Sequence, residues 1–157
     1  MARGDIVLCR DTSEGFHTWS DKIIEVVTHG PYVHVEIDLG DSFIGAHSDG
    51  ISRIPRATGT SYYYVTTKAS PDDINAAVAW AETQLGQPYG WTDIFSDGLR
   101  FLNLPLYIGA DKWMDCSDFA TRFLMVARAS SPLGELASHP ERVSPNDLAR
   151  AFKAPGF

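Results

Sequence analysis

The chain has 157 residues, 44% of them hydrophobic and 21% charged, with 13 basic and 20 acidic side chains giving a formal net charge of −7. That composition excludes wholesale disorder and suits one domain over residues 1–157 built around a single core. The acidic balance lacks the basic footprint of a phosphate-backbone binder, so nucleic acid is not expected as a partner. Cys9 and Cys116 are the only cysteines, which is not a disulfide framework, and a reducing compartment is the default expectation. With the apolar run Ile6-Val7-Leu8 beginning so soon after Met1, no secretory signal peptide is expected. No apolar stretch approaches the roughly 20 residues of a membrane-spanning helix. A cytoplasmic location without a transmembrane segment is therefore expected.

Ile6 to Cys9 reads as a first strand, and Ser20 followed by Ile23, Ile24, Val26 and Val27 as a short helix ended by Gly30-Pro31. From Val33 to Leu39 the pattern alternates, with Val33, Val35, Ile37 and Leu39 on one face and His34, Glu36 and Asp38 on the other. Gly40-Asp41-Ser42 is turn chemistry, and an extended run resumes at Phe43, so an antiparallel hairpin is expected. Gly50 to Ile54 and Tyr62 to Val65 read as further strands. Ser70 caps a helix with Pro71 in its first turn and Ile74, Ala77, Val78, Ala81 and Leu85 as its apolar stripe, closed by Gly86. A second helix should start near Asp115-Cys116-Ser117 and turn Phe119, Ala120, Phe123, Leu124 and Ala127 inward, and a short one should follow Ser144-Pro145. Strands and helices are segregated, which predicts an α+β domain with an antiparallel sheet and opposes a doubly wound parallel one.

Cys116 falls at an expected helix N-terminus, where free backbone N–H groups and the helix dipole favour a thiolate and could also receive an oxyanion. His34 projects from the polar side of a strand otherwise committed to the core, the rigid placement a general base needs. A two-residue turn at Gly40-Asp41 would set His47 directly across from His34, where it could orient the imidazole. Glu36 or Asp49 are the alternatives, although a residue two along the same strand tends to project parallel to His34. Ser117 and Tyr89 are candidates for the oxyanion pocket or cleft, with Trp91 beside them. Cys9 reads as a small core residue, and His17, His29 and His139 as surface residues. The glycines are isolated, without a phosphate-binding pattern, and no cofactor is expected.

Taken together, Gly4-Asp5-Ile6-Val7, Val33-His34-Val35-Glu36-Ile37, and the following Phe43-Ile44-Gly45-Ala46 and Gly50-Ile51 resemble the Gly-Asp, His-Val-x-Ile and next-strand landmarks of NlpC/P60 enzymes. Leu85-Gly86-Gln87-Pro88-Tyr89 and Asp115-Cys116-Ser117 resemble that superfamily's other two landmarks. Here those two follow the histidine, where in the usual family they precede it. The chain thus resembles the circularly permuted branch, which includes YiiX-like and lecithin retinol acyltransferase-like proteins. The resemblance implies a circularly permuted papain-like fold, with an antiparallel sheet packed against the cysteine-bearing helix. It further implies amide or ester cleavage through an acyl-enzyme, with cell-wall peptides or acyl lipids as substrates and a bacterial or phage setting, including a virion-associated one. One departure stands out: the family's third, polar catalytic position falls on Gly45.

Three other readings of the same residues remain open at this level. Acyl transfer to an alcohol or amine could replace hydrolysis on the same scaffold. A metal hydrolase could use His34, Glu36, Asp38 and His47 as nitrogen and oxygen ligands, although no H-E-x-x-H pair accompanies them and no metal is expected. A catalytically silent binding module could retain the cleft without an orienting residue.

Overall fold

The computed structural model describes residues 2–10, 30–56, 61–89 and 114–156. The helix expected after Ser20, together with His17, His29 and Trp91, lies outside the described residues. Five strands form one sheet: β1 (Ile6–Arg10), β2 (Tyr32–Asp38), β3 (Ser42–His47), β4 (Gly50–Pro55) and β5 (Tyr62–Val65). Their order is β4-β3-β2-β1-β5, and every neighbouring pair is antiparallel. Three α-helices follow among the described residues, α1 (Pro71–Thr83), α2 (Cys116–Val126) and α3 (Pro145–Ala151), with 3-10 turns at Ser131–Ser138 and Pro140–Arg142 between the last two. The chain is therefore an α+β protein with an antiparallel sheet, as its segregated pattern predicts.

The β2–β3 hairpin turns where its glycine and aspartate predict. Leu39 donates its N–H to the Ser42 carbonyl, and Ile37 pairs with Ile44 and Asp38 with Phe43, which leaves Gly40 and Asp41 as the turn. Alternation along β2 sends Val35 and Ile37 into a buried cluster with Ile6, Leu8, Ile44 and Ala46. Ile74, Ala77, Val78 and Ala81 of α1 and Phe119, Ala120, Phe123 and Leu124 of α2 complete that cluster. Burying a side chain of this kind contributes about 1.5–3 kcal/mol, so the helices are held chiefly by this one apolar surface.

The opposite face of the sheet is concave. Phe43 on β3 meets Tyr62 and Tyr64 on β5, with ring centroids 6.1 and 6.4 Å apart, although β2 and β1 lie between those strands. Only a strongly curled sheet allows that approach. Val7, Cys9, His34, Glu36 and Asp38 share this face by register.

Two details differ from the sequence expectation. Helix α1 ends at Thr83, capped at Gln84, and Leu85 is 43% exposed instead of completing the apolar stripe. The chain leaves the helix because Gly86 donates to the Ile51 carbonyl and Ile51 donates to Gln87, docking this segment on the edge of β4. Gly50 makes the docking possible: with φ of 120°, it lies so close to Gln87 that an added Cβ would stand 2.6 Å from the carbonyl oxygen. Cys9 is the second difference. Ile6, Val7 and Leu8 are fully buried, but Cys9 is only half-buried and pairs with His34 on the concave face.

At the start of β2 the β1 register slips between Cys9 and Arg10, and such irregularities increase local twist and re-aim side chains. Asn146 of α3 closes this end. Its side-chain amide accepts from the Tyr32 N–H at 3.1 Å and donates to the Tyr32 carbonyl at 2.8 Å and the Gly30 carbonyl at 3.2 Å. A fully buried side chain thus takes the place of a strand neighbour two residues before His34.

Candidate active site

Helix α2 begins in a defined way. The Asp115 carboxylate accepts the Ser117 and Asp118 N–H groups at 2.8 Å each, and the Ser117 hydroxyl at 2.9 Å. This is an aspartate N-cap, the residue type favoured at that position because its oxygen satisfies donors the helix leaves open. Both donors of Ser117 are therefore spent on Asp115, and Ser117 is itself 2% exposed. The expectation that Ser117 serves the oxyanion pocket is corrected on that ground. The remaining first-turn donor is the Cys116 N–H, which meets the Tyr89 hydroxyl. Tyr89 arrives there because the segment docked on β4 continues into a parallel bridge between Tyr89 and Met114. Burial first, then the neighbouring Cys116 and Asp115, raise the Tyr89 hydroxyl well above its ordinary value, so it stays a proton donor at any physiological pH.

The Cys116 thiol also reaches His34, adding a coulombic and a hydrogen-bonding pull on the imidazole. The other pull comes from Glu36. His34 Nε2 donates to Glu36 Oε1 at 2.6 Å, which commits that nitrogen and leaves Nδ1 as the ring atom available to the thiol. Burial alone would disfavour the imidazolium, but Glu36 and Cys116 together more than offset it and hold the His34 pKa well above its usual value.

Glu36 reaches His34 because of what stands across the hairpin. The register that pairs Ile37 with Ile44 sets Glu36 opposite Gly45, and an added Cβ at Gly45 would overlap the Glu36 carboxylate. A carboxylate thus fills the space that a side chain at position 45 would take. His47 lies beyond it. Its Nε2 is 3.4 Å from Glu36 Oε1, and its ring centroid is 5.3 Å from that of His34, tilted by 45°. The ranking of His47 ahead of Glu36 as the partner of His34 is therefore reversed in the geometry: the two imidazoles face a shared carboxylate and not one another. Burial, opposed by Glu36 and reinforced by His34, lowers the His47 pKa, the opposite direction from that of His34.

Asp38, grouped with these residues by alternation, is turned elsewhere. It is fully buried, receives Arg56 at 2.7 Å and accepts the Gly40 N–H at 2.7 Å. Asp49 is exposed, and its charge opposes the lowering of the His47 pKa. His139 is exposed, as expected of a surface residue. Cys116 is 3% exposed, so the more open members of the cluster are His34 and His47, with side chains 26% and 19% exposed. Sequence reasoning passed over Gly45 as a vacancy and Cys9 as a neighbour of His34. A glycine in register with a long carboxylate was the available signal for the first, and the parity of Cys9 against Val7 for the second.

A scan against protein-family models finds no match, and a search of curated proteins finds no similar sequence. No described helix is long and apolar enough to cross a membrane.

Proposed function

We propose that this chain is a cysteine hydrolase with a circularly permuted, papain-like architecture of the NlpC/P60 type, cleaving an amide or ester bond through an acyl-enzyme. The observation that carries this reading is the Glu36–His34 hydrogen bond built over Gly45, which supplies an orienting carboxylate where position 45 has no side chain. In the proposed mechanism His34 Nδ1 takes the Cys116 proton, and the sulfur attacks the substrate carbonyl carbon. The developing oxyanion is received by the Tyr89 hydroxyl, which the Cys116 N–H positions by donating to its oxygen. The imidazolium, stabilised by Glu36, protonates the leaving nitrogen or oxygen. Water then attacks the thioester with His34 as base, freeing the acid and regenerating the thiol.

Cell-wall peptides are the proposed substrates, with acyl esters as the alternative on the same scaffold and an alcohol or amine as the alternative acceptor. The test is incubation of wild-type protein with a panel of peptidoglycan peptides and acyl esters, with mass spectrometry to find an acyl adduct on Cys116. Turnover should vanish in Cys116→Ala while the circular dichroism spectrum stays native. Full turnover in that variant would end the reading.

A further inference from the structure

We propose that His34, Glu36 and His47 form a binding site for one divalent transition-metal ion of the zinc type. Their ligand atoms, two imidazole nitrogens and a carboxylate oxygen, all lie within 4.8 Å of one another. Two orphaned atoms point to a missing cation. Glu36, 2% exposed, has a buried Oε2 without a hydrogen-bond partner among the described residues, and His47 Nε2 is likewise buried and without one. A buried polar atom left unpaired is costly, and a cation held by both Glu36 carboxylate oxygens and His47 Nε2 would satisfy both.

The dimensions are compatible with zinc. Ligand bonds of about 2.0–2.1 Å at tetrahedral angles place donor atoms roughly 3.3 Å apart. The His47 Nε2 to Glu36 Oε1 separation is already 3.4 Å, while His34 Nε2 at 2.6 Å from the same oxygen must swing outward as its proton leaves. Two imidazoles and one carboxylate are a donor set suited to zinc and its neighbours, with water completing the coordination. Asp38 takes no part, being committed to Arg56.

Occupancy has a chemical consequence, which rests on the mechanism proposed above. A neutral imidazole bound to metal through Nε2 carries its proton on Nδ1, so His34 would have no lone pair left for the Cys116 proton. The ion would act as a reversible inhibitor by fixing the wrong tautomer.

Binding is measurable without turnover, so this site and the hydrolase reading can fail separately. Calorimetry with Zn2+ and absorption spectroscopy with Co2+ on the purified full chain should show one ion per chain, with ligand-field bands of low coordination number. The near-ultraviolet sulfur-to-cobalt charge-transfer band should be absent. His47→Ala, at a partly exposed position, and the near-isosteric Glu36→Gln should each weaken binding at least tenfold, about the least that even an outer-sphere partner is worth. Cys116→Ser should leave affinity unchanged. The proposal is overturned by no binding to the wild type, by undiminished binding in folded His47→Ala, or by a thiolate band that Cys116→Ser removes.

Discussion

The two faces of β2 are built under opposite rules. On one, Val35 and Ile37 need only apolar neighbours of suitable volume, and the sheet and helices α1 and α2 supply them from many directions. On the other, Glu36 and Asp38 are buried carboxylates and His34 a half-buried imidazole, and each requires particular partners. Apolar packing is tolerant of the identity of its neighbours, whereas a buried polar group is costly unless its own hydrogen bond is made. The apolar face therefore carries most of the stability, and the concave face holds the groups to which the proposed chemistry would fall.

Substitutions on the two faces should separate these roles. Ile37→Ala should have the largest effect, a loss of about 2–5 kcal/mol, measured by urea denaturation, with the activity of the remaining folded fraction little changed. A much smaller loss would mean that the helices do not depend on this surface. His34→Ala should do the reverse. We expect turnover to fall at least roughly 10²-fold with a smaller shift of the urea midpoint than Ile37→Ala gives, and unchanged kinetics would remove His34 from the mechanism.

The next comparison lies within the concave face. Glu36→Gln should lower turnover more than His47→Ala does, because only Glu36 bonds the ring nitrogen that sets the His34 tautomer. It should also flatten a pH dependence of stability. Since the folded pKa of His34 is raised, its contribution is full below the unfolded value near 6.5 and fades as pH rises through the folded value. Urea midpoints across that range should decline in wild type and decline less in Glu36→Gln. Equal slopes would detach the raised pKa from Glu36.

The smallest effect concerns Cys9. Burial pushes its thiol up to about 12, with His34 pulling the other way and Glu36 and Cys116 adding to the rise. Iodoacetamide at neutral pH should therefore label native Cys116, whose proton His34 can take, ahead of Cys9. Denaturant should equalise the two. Preference for Cys9, whose side is the more open, would show that exposure and not proton transfer governs reactivity here.

Much of this organisation is legible in the sequence, for reasons that also mark where legibility stops. Period-two alternation places Val35 and Ile37 inward, and Gly40-Asp41 fixes the hairpin register that brings position 34 opposite position 47. Capping chemistry places Asp115 before Cys116 and Ser144 before α3. These are local signals, read within a few residues. The choice of Glu36 over His47 depends on an empty volume above Gly45, and the loss of Ser117 as a donor depends on which lone pairs Asp115 offers. Leu85 fails as a helix residue because the edge of β4 captures Gly86. Each of these outcomes is a competition between partners distant in the chain, which periodicity does not record.

The bond between Asn146 and Tyr32 carries a consequence for how the molecule is made. Synthesis delivers the chain from its N-terminus, so His34 and Cys116 have both been synthesised before residue 146 exists to brace the start of β2. A nascent chain at that stage holds the proposed base and nucleophile without the Asn146 bonds that brace the start of β2. Under the proposed mechanism, activity would then wait for α3 to brace the start of β2. A ribosome-stalled chain ending after Ala129 should accordingly expose the amide of Tyr32 to hydrogen exchange that the finished protein resists.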